Sequence, residues 1–407
     1  MTVVNDLELA EVDLDSPELS GDNYHLLLAR VAHQGEHGWL ARSPLAYIVL
    51  DRESAEYFLR SRDTAFPGRE IADLFGVTSG RLREQIDANI LNQQGDRHRR
   101  LRALVGPAFS PRAADGWRPV MRGFLEQLWT TIAASQSCEF VAAIAKPYPA
   151  LTIAAVLGAP LADAPALHDW SSLVQRQFDI KALASQVPEL ERAVTEVYAY
   201  VEALLTQRRS KPGDDLLTAL LTAEEAGDRL SHEECVNLVL NVIAGGIDTT
   251  QAQLSHAMRL FAAHPDQWQL LRERPELVAR AVQEVLRFEP ITPLTARICL
   301  NPIEYRDVLF PAGTIVAVCA ERGNRELDGE EFDIAAERDD RLLTFGAGPH
   351  FCLGANLARL ELKVMFDEVL NRLPDLEQAG EVQRLYSNFV AGIKHMPVRF
   401  TSTREAA

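Results

Sequence analysis

FGAGPHFCLGANLARLEL, residues 345–362, places Cys352 in a glycine-spaced turn that leads directly into a helical pattern. The flanking residues Gly346, Gly348 and Gly354 permit a tight, unusual backbone around the cysteine. A thiolate at a helix N-terminus is favoured by the helix dipole and by unpaired backbone N–H groups, so the pattern predicts a lowered pKa for Cys352. The alternative is a buried structural thiol, which is the commonest fate of a free cysteine.

The number and spacing of the cysteines limit the kinds of site that they can form. The chain has five, an odd number, and they are widely scattered without a CxxC pair: Cys138, Cys235, Cys299, Cys319 and Cys352. A disulfide framework and a zinc site are therefore both poor interpretations. A lone, stabilised thiolate suits a single axial bond to a haem iron better than a multi-ligand metal cage.

The composition excludes other classes of function. The 407 residues are 47% hydrophobic and 24% charged, which is typical of a soluble globular protein with a sizeable core. A formal net charge of −17 argues against a nucleic-acid partner. The acidic N-terminal stretch has the pattern of neither a signal peptide nor a membrane anchor, and no later stretch is apolar for long enough to span a bilayer. We therefore expect a cytoplasmic protein without a membrane anchor.

The periodicity of apolar residues predicts a mainly α protein with a minor β-sheet region. Strand-like pieces collect in residues 39–51 and 303–321, and the tail 392–402 adds a possible final strand. No linker or repeat divides the chain, so we predict one domain over residues 1–407. Its first part, residues 1–25, is expected to be a poorly ordered acidic N-terminus.

The longest helical pattern runs from Ser231 to the residue before Pro265. It opens on a capping box, in which the Ser231 side chain and Glu234 reach each other's backbone N–H groups. A helix of this length spans about 50 Å, enough to cross a whole domain. A second helix is expected to begin near Pro275 and to end before Pro290.

The centre of the long helix is weakened by its own sequence. AGGIDTTQ, residues 244–251, places two glycines before Asp248 and Thr249, and each interior glycine costs about 1 kcal/mol relative to alanine. One interpretation is close helix packing at the glycines with a buried threonine bonded back to the helix. The other is a local distortion, where a small ligand lies against the backbone and the acid and the alcohol move protons.

Four stretches together resemble one family. Residues 345–354 resemble the cysteine loop of the cytochrome P-450 haem-thiolate monooxygenases. In the family's order, HRRLR (98–102) is similar to its haem-flanking helix, GGIDTT (245–250) to its oxygen groove and EVLR (284–287) to its Glu-x-x-Arg pair. The resemblance covers about residues 30 to 400, and the missing membrane anchor makes the chain similar to the soluble bacterial branch. It implies the cytochrome P-450 fold, with a long central helix over a buried haem b.

The resemblance also assigns roles to residues. Cys352 would be the axial iron ligand, Asp248 and Thr249 would form the proton relay, and Glu284 with Arg287 would be a structural pair that supports the cysteine loop. Haem propionates need cationic or N–H donors when they are partly buried. The matching positions for these donors are His98, Arg102, Arg297 and His350.

One position departs from the family pattern. An arginine usually precedes Phe-Asp and completes the Glu–Arg network, but here Glu331 stands at that position. Either Arg338 or Arg341 substitutes for it, or the pair of Glu284 and Arg287 stands alone.

The function that the resemblance implies is reductive activation of O2 and hydroxylation of a hydrophobic small molecule. The chain has no recognisable flavin or nicotinamide motif and no cysteine cluster for an iron–sulfur centre, so electrons would come from a ferredoxin and an NAD(P)H-dependent ferredoxin reductase. Two alternatives are a peroxide-driven peroxygenase of the same fold and a haem protein that binds or senses a gas without turnover. The acid–alcohol pair argues against both.

Family geometry also suggests the substrate pocket and the docking surface. The pocket residues are apolar, which indicates a terpenoid, steroid, fatty acid or polyketide; they are Phe75, Ile86, Ile90, Val242, Ile243, Ile291, Leu294, Phe389 and Val390. On the haem-flanking helix, Arg97, Arg99 and Arg100 are expected to face outward and to steer an acidic ferredoxin. The alternative for these arginines is an ordinary solvated helix face.

Overall fold

The structure is a computed structural model, and it describes residues 2–13, 24–32, 34–133, 135–225, 230–338, 341–372, 375–385 and 389–401. Helices predominate, as expected. They are α1 (Tyr24–Val31), α2 (Arg52–Arg60), α3 (Gly68–Leu74), α4 (Arg81–Ala88), α5 (Gly95–Val105), α6 (Pro111–Gly116), α7 (Arg118–Ile132), α8 (Pro147–Leu157), α9 (Ala164–Gln175), α10 (Ile180–Ser185), α11 (Val187–Ser210), α12 (Leu216–Glu225), α13 (His232–Gly246), α14 (Asp248–Ala263), α15 (Pro265–Glu273), α16 (Val278–Phe288), α17 (Ala320–Asp328) and α18 (Ala355–Arg372).

The strands are short. They are β1 (Thr2–Val3), β2 (Ala10–Glu11), β3 (Leu40–Arg42), β4 (Tyr47–Val49), β5 (Thr64–Ala65), β6 (Ser137–Glu139), β7 (Leu294–Cys299), β8 (Ile303–Tyr305), β9 (Val308–Phe310), β10 (Ile315–Cys319), β11 (Glu377–Gln378), β12 (Gln383–Leu385), β13 (Gly392–His395) and β14 (Pro397–Arg399). Both predicted strand regions are confirmed. The tail differs from the single expected strand, since β13 and β14 join different sheets.

The largest sheet has six strands in the order β2-β3-β4-β10-β7-β5. Its central strand β10 runs parallel to β4 and antiparallel to β7, so that Val316 lies opposite both Tyr47 and Arg297. Arg297 is therefore held in the interior of a sheet rather than on a loop. This placement explains how a guanidinium can be buried at a fixed position.

The central helix begins as expected but is not continuous. Ser231 and Glu234 form the complete capping box at the start of α13. The helix is then interrupted at Ile247, whose φ of −97° and ψ of −68° separate α13 from α14. Two adjacent glycines before this residue lower the local preference for helix, which favours the interruption. Just before the interruption, the Ala244 carbonyl accepts hydrogen bonds from the side chains of Ser171 and Gln175 on α9.

The main core packs helices against helices. Phe261 on α14 contacts Trp268, Phe332 and Phe366 edge-on, with ring centroids 5.4, 5.5 and 5.3 Å apart. Aromatic pairs in this arrangement add about 0.5–1.5 kcal/mol to the area that they bury. The core therefore ties α14 to α15 and α18, which fixes the helix that follows the interruption.

The N-terminal segment differs from the sequence expectation. β1 pairs with β9 and β2 with β3, and Val4 and Val12 are buried, so residues 2–13 are ordered. The acidic residues there face outward, while apolar residues between them pack against the sheets. The expectation of poor order was based on the acidic charge and overlooked these apolar residues. Residues 14–23 lie outside the described part. None of the helices in the described part is long and apolar enough to cross a membrane.

Candidate active site

The cysteine loop, residues 345–354, is a pair of tight turns. Gly346 and Gly348 both have φ of +70°, a region that disfavours other residues. A Cβ atom on Gly348 would lie 2.8 Å from the Leu59 carbonyl oxygen, so a side chain has no room there. The Cys352 N–H donates a hydrogen bond of 2.8 Å to the Phe345 carbonyl, which closes the loop.

Protein atoms surround the Cys352 thiol, yet the residue is accessible to solvent. The thiol therefore faces a cleft within the protein. Burial raises the pKa of this thiol; backbone N–H groups of Gly354 and Ala355 and the charges of Arg102 and Arg359 oppose that effect. The expected lowering of the pKa is therefore wrong for the protein alone. The helix start is present, but desolvation is the larger contribution.

Two histidines stand together beside the cysteine loop. The ring centroids of His98, on α5, and His350 are 4.2 Å apart, and Gln94 Nε2 lies 3.2 Å from His350 Nε2. Burial, followed by the charge of Arg102, lowers the pKa of His98 to about 4. Burial, followed by the charges of its basic neighbours, lowers the pKa of His350 to about 3. Both rings are neutral near pH 7 in the protein alone.

Two arginines complete this basic cluster. Arg297 is 4% exposed, and its one hydrogen bond among the described residues goes to the adjacent Ala296 carbonyl. Burial lowers the pKa of Arg297 to about 10. Arg102 Nη2 donates to the Phe351 carbonyl at 2.7 Å, and burial lowers its pKa as well. The structure thus brings together all four residues that the sequence assigned to the propionates.

The cluster fits a haem. No carboxylate of the described residues forms an ion pair with any of its four side chains, and Nδ1 of His350 is buried without a hydrogen-bond partner. Unpaired cations are costly to bury, so such a cluster favours an anionic group from outside the chain. The two propionates of a haem would supply that charge. His350, one member of the cluster, lies two residues before Cys352 in the cysteine loop.

The two glycines before the helix interruption have different surroundings. A Cβ on Gly246 would lie 2.5 Å from Ile153 Cδ1, which shows close packing of α13 on α8. Gly245 is exposed, and nothing lies within 4 Å of its added Cβ. Thr249 Oγ1 donates a hydrogen bond of 2.6 Å to the Gly245 carbonyl. Close packing, a threonine bonded back to the helix and a distorted backbone are therefore all present.

The acid and the alcohol point in different directions. Asp248 accepts a hydrogen bond of 2.8 Å from Ser172 on α9, and its Oδ1 lies 3.5 Å from His168 Nε2. Burial raises the pKa of Asp248, whereas the Ser172 hydrogen bond and nearby positive charges oppose this effect. The sequence placed the acid and the alcohol side by side, but it did not identify α9 as the partner of the acid.

A buried acid was missed by the sequence reasoning. Glu361 on α18 is 1% exposed; Thr250 Oγ1 lies 3.5 Å from its Oε2, and its Oε1 has no hydrogen-bond partner among the described residues. Burial raises the pKa of Glu361 well above its usual range, and hydrogen bonds from threonine side chains oppose this effect. The available signal was a carboxylate placed between Leu360 and Leu362 on α18.

Glu284 and Arg287 form a buried bidentate ion pair with distances of 2.7 and 2.9 Å. Arg287 also donates to the carbonyls of Gly329 and Glu331 at 2.8 and 2.7 Å. Arg338 Nε lies 3.0 Å from Glu284 Oε2, so Arg338 takes the place of the missing arginine. Of the alternatives left open by the sequence, substitution by Arg338 is the one observed.

The proposed pocket residues divide into groups. Ile86, Val242 and Ile243 belong to the main core, and Phe75 and Ile90 pack against it. The Ile291 carbonyl accepts a hydrogen bond of 2.7 Å from the Ala391 N–H, which brings Ile291 near the turn that carries Phe389 and Val390. Leu294 packs elsewhere, against a small cluster that includes Val12 and Leu28. The structure therefore does not group Leu294 with the other pocket residues.

Three phenylalanines, one of them the predicted pocket residue Phe389, lie together in the structure. Phe178, at the end of the helical turn after α9, lies 4.5 Å from Phe389 and 5.6 Å from Phe66, measured between ring centroids. Phe66 and Phe178 were not singled out in the sequence because neither belongs to a motif. The three rings join the loop before α3, the end of α9 and the turn before β13.

The basic surface of α5 is largely neutralised. Arg97 and Arg100 both bind Glu234, with closest distances of 3.3 and 2.6 Å, and Arg99 pairs with Asp96. The three arginines do face outward as expected, with side chains 50%, 73% and 38% exposed, but each of them is paired with an acid. The sequence did not show which acids pair with these arginines. Asp96 lies in the first turn of α5, and Glu234 belongs to the capping box at the start of α13.

Comparison with known proteins identifies the family. A family model described as Cytochrome P450 matches residues 45–387. Luteothin monooxygenase of Streptomyces thioluteus is 34% identical over 398 residues, which cover 97% of this chain and 96% of that protein. The crystal structure of CalO2 has 30% identity and a TM-score of 0.86, covering 97% of this chain and all of the other. The chain therefore belongs to the cytochrome P450 family, as a bacterial-type haem-thiolate monooxygenase.

Proposed function

We propose that this cytochrome P450 takes electrons from a separate ferredoxin, reduced by an NAD(P)H-dependent reductase, and hydroxylates a hydrophobic small molecule with O2. The observation that carries the proposal is the basic cluster without a counter-charge beside the Cys352 thiol. Its two arginines match the charge of two propionates, and its two neutral histidines add ring N–H donors. The Asp248 and Thr249 pair adds the proton supply that oxygen activation requires.

The cofactor in this proposal is haem b. Cys352 holds the iron, and His98, Arg102, Arg297 and His350 hold the propionates. When bound, the haem supplies the iron at which O2 is reduced and split. The N–H groups of Gly354 and Ala355 stabilise the Cys352 thiolate, because hydrogen bonds to an anion disperse its charge.

The protein's own part in the reaction is proton supply and exclusion of water. The Thr249 hydroxyl donates to the Gly245 carbonyl. In this proposal it breaks that hydrogen bond and donates its proton into the cleft instead. Asp248 replaces the proton that Thr249 passes on. A hydroxyl suits the first position because it is donor and acceptor at once.

The substrate in this proposal is apolar and small, such as a terpenoid, steroid, fatty acid or polyketide. The apolar side chains of Ile86, Val242, Ile243 and Phe389 support it. So does the similarity to Erythromycin C-12 hydroxylase of Saccharopolyspora erythraea, 34% identical over 312 residues, which cover 74% of this chain and 77% of that protein. Binding is measured by the change in haem spin state over a panel of apolar compounds.

The proposal is tested first by the spectrum of the reduced carbonyl complex. The red-shifted Soret band of a thiolate-bound haem should be present in the natural protein and absent in Cys352→Ser. Cys138→Ser is the matched control and should keep the band. An unchanged band in Cys352→Ser would overturn the assignment of the ligand.

A second test separates the monooxygenase from its two rivals. NAD(P)H consumption with a ferredoxin and its reductase should rise when an apolar ligand that shifts the spin state is added, and a hydroxylated product should form. Product formation with hydrogen peroxide alone, at the same rate, would indicate a peroxygenase. Carbon monoxide binding without any turnover would indicate a gas-binding protein.

A further inference from the structure

A buried histidine on the central helix binds the turn that carries two of the proposed pocket residues. His256 on α14 is 1% exposed, and its Nε2 lies 3.1 Å from the Ala391 carbonyl oxygen. Ala391 directly follows Phe389 and Val390. The Ala391 N–H donates a hydrogen bond of 2.7 Å to the Ile291 carbonyl. The backbone at Ala391 is therefore held from two sides, by α14 and by the segment after α16.

The position of the ring proton on His256 follows from these contacts. A carbonyl oxygen only accepts hydrogen bonds, so the geometry places the proton on Nε2. Nδ1 is 3.4 Å from Glu289 Oε1 and has no hydrogen-bond partner among the described residues. Burial lowers the pKa of His256, and the charge of Glu289 opposes this effect. The N–H of a neutral ring is therefore directed to the turn.

A group of polar side chains joins the surroundings of this turn to α14. Glu289, directly after α16, accepts a hydrogen bond of 2.7 Å from Arg259 on α14, and it lies 3.7 Å from Arg384 on β12. Gln253 on α14 donates to the Glu289 carbonyl at 3.1 Å. β12 pairs with β13, which begins directly after the turn. Within this group, His256 makes the contact to the turn itself.

The turn in this position closes one side of the proposed pocket. The Phe389 ring lies 4.5 Å from Phe178, which lies 5.6 Å from Phe66, measured between ring centroids. Phe389 keeps this contact only while the backbone that carries it stays in place. A segment that becomes ordered when a ligand binds costs affinity, and a segment that is ordered beforehand avoids that cost. The buried bond from His256 has this effect on the turn.

We propose that His256 is a positioning residue for the substrate: its Nε2–H holds the 389–391 turn, so that Phe389 and Val390 are in place before an apolar ligand enters. The proposal rests on the proposed function, in which these two side chains contact the substrate. The affinity for bulky apolar ligands then depends on a histidine that acts through the backbone of the turn.

The test compares two ligands that bind a haem iron through nitrogen: imidazole, which is small, and clotrimazole, which is bulky and apolar. Each is titrated into the ferric holoenzyme, and its Kd is read from the shift of the Soret band. In His256→Phe, which keeps a ring without an N–H, the Kd of clotrimazole should rise about threefold or more, as expected for one lost hydrogen bond. The Kd of imidazole should stay unchanged. In His256→Gln, whose amide can donate in place of Nε2, the Kd of clotrimazole should return to its natural value.

His264→Phe is the matched control. His264 Nδ1 lies 2.8 Å from the Leu260 carbonyl on α14, so this variant also loses a contact between a histidine and a carbonyl, but one within the helix itself. Both dissociation constants should stay unchanged. A second measurement does not depend on His256→Phe: 15N NMR of the diamagnetic reduced carbonyl complex, with His256 assigned by its absence in His256→Gln, should show the ring proton on Nε2.

Several outcomes would overturn the proposal. One is an unchanged or lower Kd of clotrimazole in His256→Phe, and another is an equal rise for both ligands, which would indicate a general loss of structure. A rise that persists in His256→Gln would show that the donor is not the cause. A ring proton on Nδ1 in the natural protein would also refute it. The proposed function fails separately, if the natural protein lacks the carbonyl band of thiolate-bound haem.

Discussion

Replacing Arg287 with methionine removes a guanidinium that makes four hydrogen bonds in a fully buried position. Two of these bonds go to Glu284, and the others go to the carbonyls of Gly329 and Glu331. Removing one partner of a buried ion pair costs about 3–5 kcal/mol, because the other charge remains buried. Arg338 still binds Glu284, so we expect the lower end, about 3 kcal/mol. This is a large part of a typical stability of about 5–15 kcal/mol.

Arg338→Met provides the comparison that makes this test informative. Arg338 binds the same carboxylate, but its side chain is 17% exposed against 1% for Arg287. A more exposed pair contributes about 0–1 kcal/mol, so Arg338→Met should cost about 1 kcal/mol. The free energy of unfolding is measured for both variants by urea denaturation, followed by circular dichroism. The comparison holds if the dependence of this free energy on urea concentration, the m-value, is the same in the variants and the natural protein.

The consequence for the haem site follows from the contacts of α16. Thr344, just before the cysteine loop, donates a hydrogen bond of 2.6 Å to the Leu286 carbonyl. Arg287→Met should therefore also weaken haem retention, whereas Arg338→Met should not. Equal costs for the two variants, or a cost below about 1 kcal/mol for Arg287→Met, would refute this reasoning.

Three other variants test separate parts of the molecule. Thr249→Ala should bind haem, substrate and O2 but lose product per NAD(P)H more than NAD(P)H consumption, as measured by peroxide release; unchanged coupling would remove Thr249 from the relay. Arg297→Met should weaken haem binding, seen as faster haem transfer to apomyoglobin, and equal transfer rates would contradict the assignment to the propionates. Burial raises the pKa of Glu321 to about 7 from an ordinary value of 4.5. As pH rises between these values, Glu321 loses its proton in the unfolded chain before it does so in the folded protein, so the free energy of unfolding should fall. Glu321→Gln should flatten that fall, and a slope equal to that of the natural protein would count against it.

The parts of the fold that follow from short-range rules were predictable. The turns at Gly346 and Gly348, the capping box at Ser231 and the pairing of Glu284 with Arg287 each depend on residues within a few positions of one another. The interruption near Gly246 was foreseen as a weakness, but its location at Ile247 was not, because that depends on how α8 and α9 pack against the helix. Whether the chain forms one domain stays a prediction.

The contacts that escaped prediction join distant positions. The Ser172 bond to Asp248 spans 76 residues and the Arg100 bond to Glu234 spans 134, so neither leaves a local pattern. The pKa of Cys352 was predicted with the wrong sign because a helix start is visible in sequence and desolvation is not. The four residues that resemblance assigned to the propionates lie together, whereas charge alone could not have selected two of 41 lysines and arginines and two of 10 histidines.

Glu234 limits the order in which this protein can accept substitutions. Its carboxylate caps α13 through the Ser231 N–H and also binds Arg97 and Arg100 on α5. Loss of the acid first would uncap one helix and leave the two arginines without their counter-charge, whereas loss of either arginine first leaves the cap in place. Divergence along this lineage should therefore show epistasis: changes at positions 97 and 100 precede a change at 234. Among laboratory variants, Glu234→Lys should be tolerated less well than the exchange of both arginines.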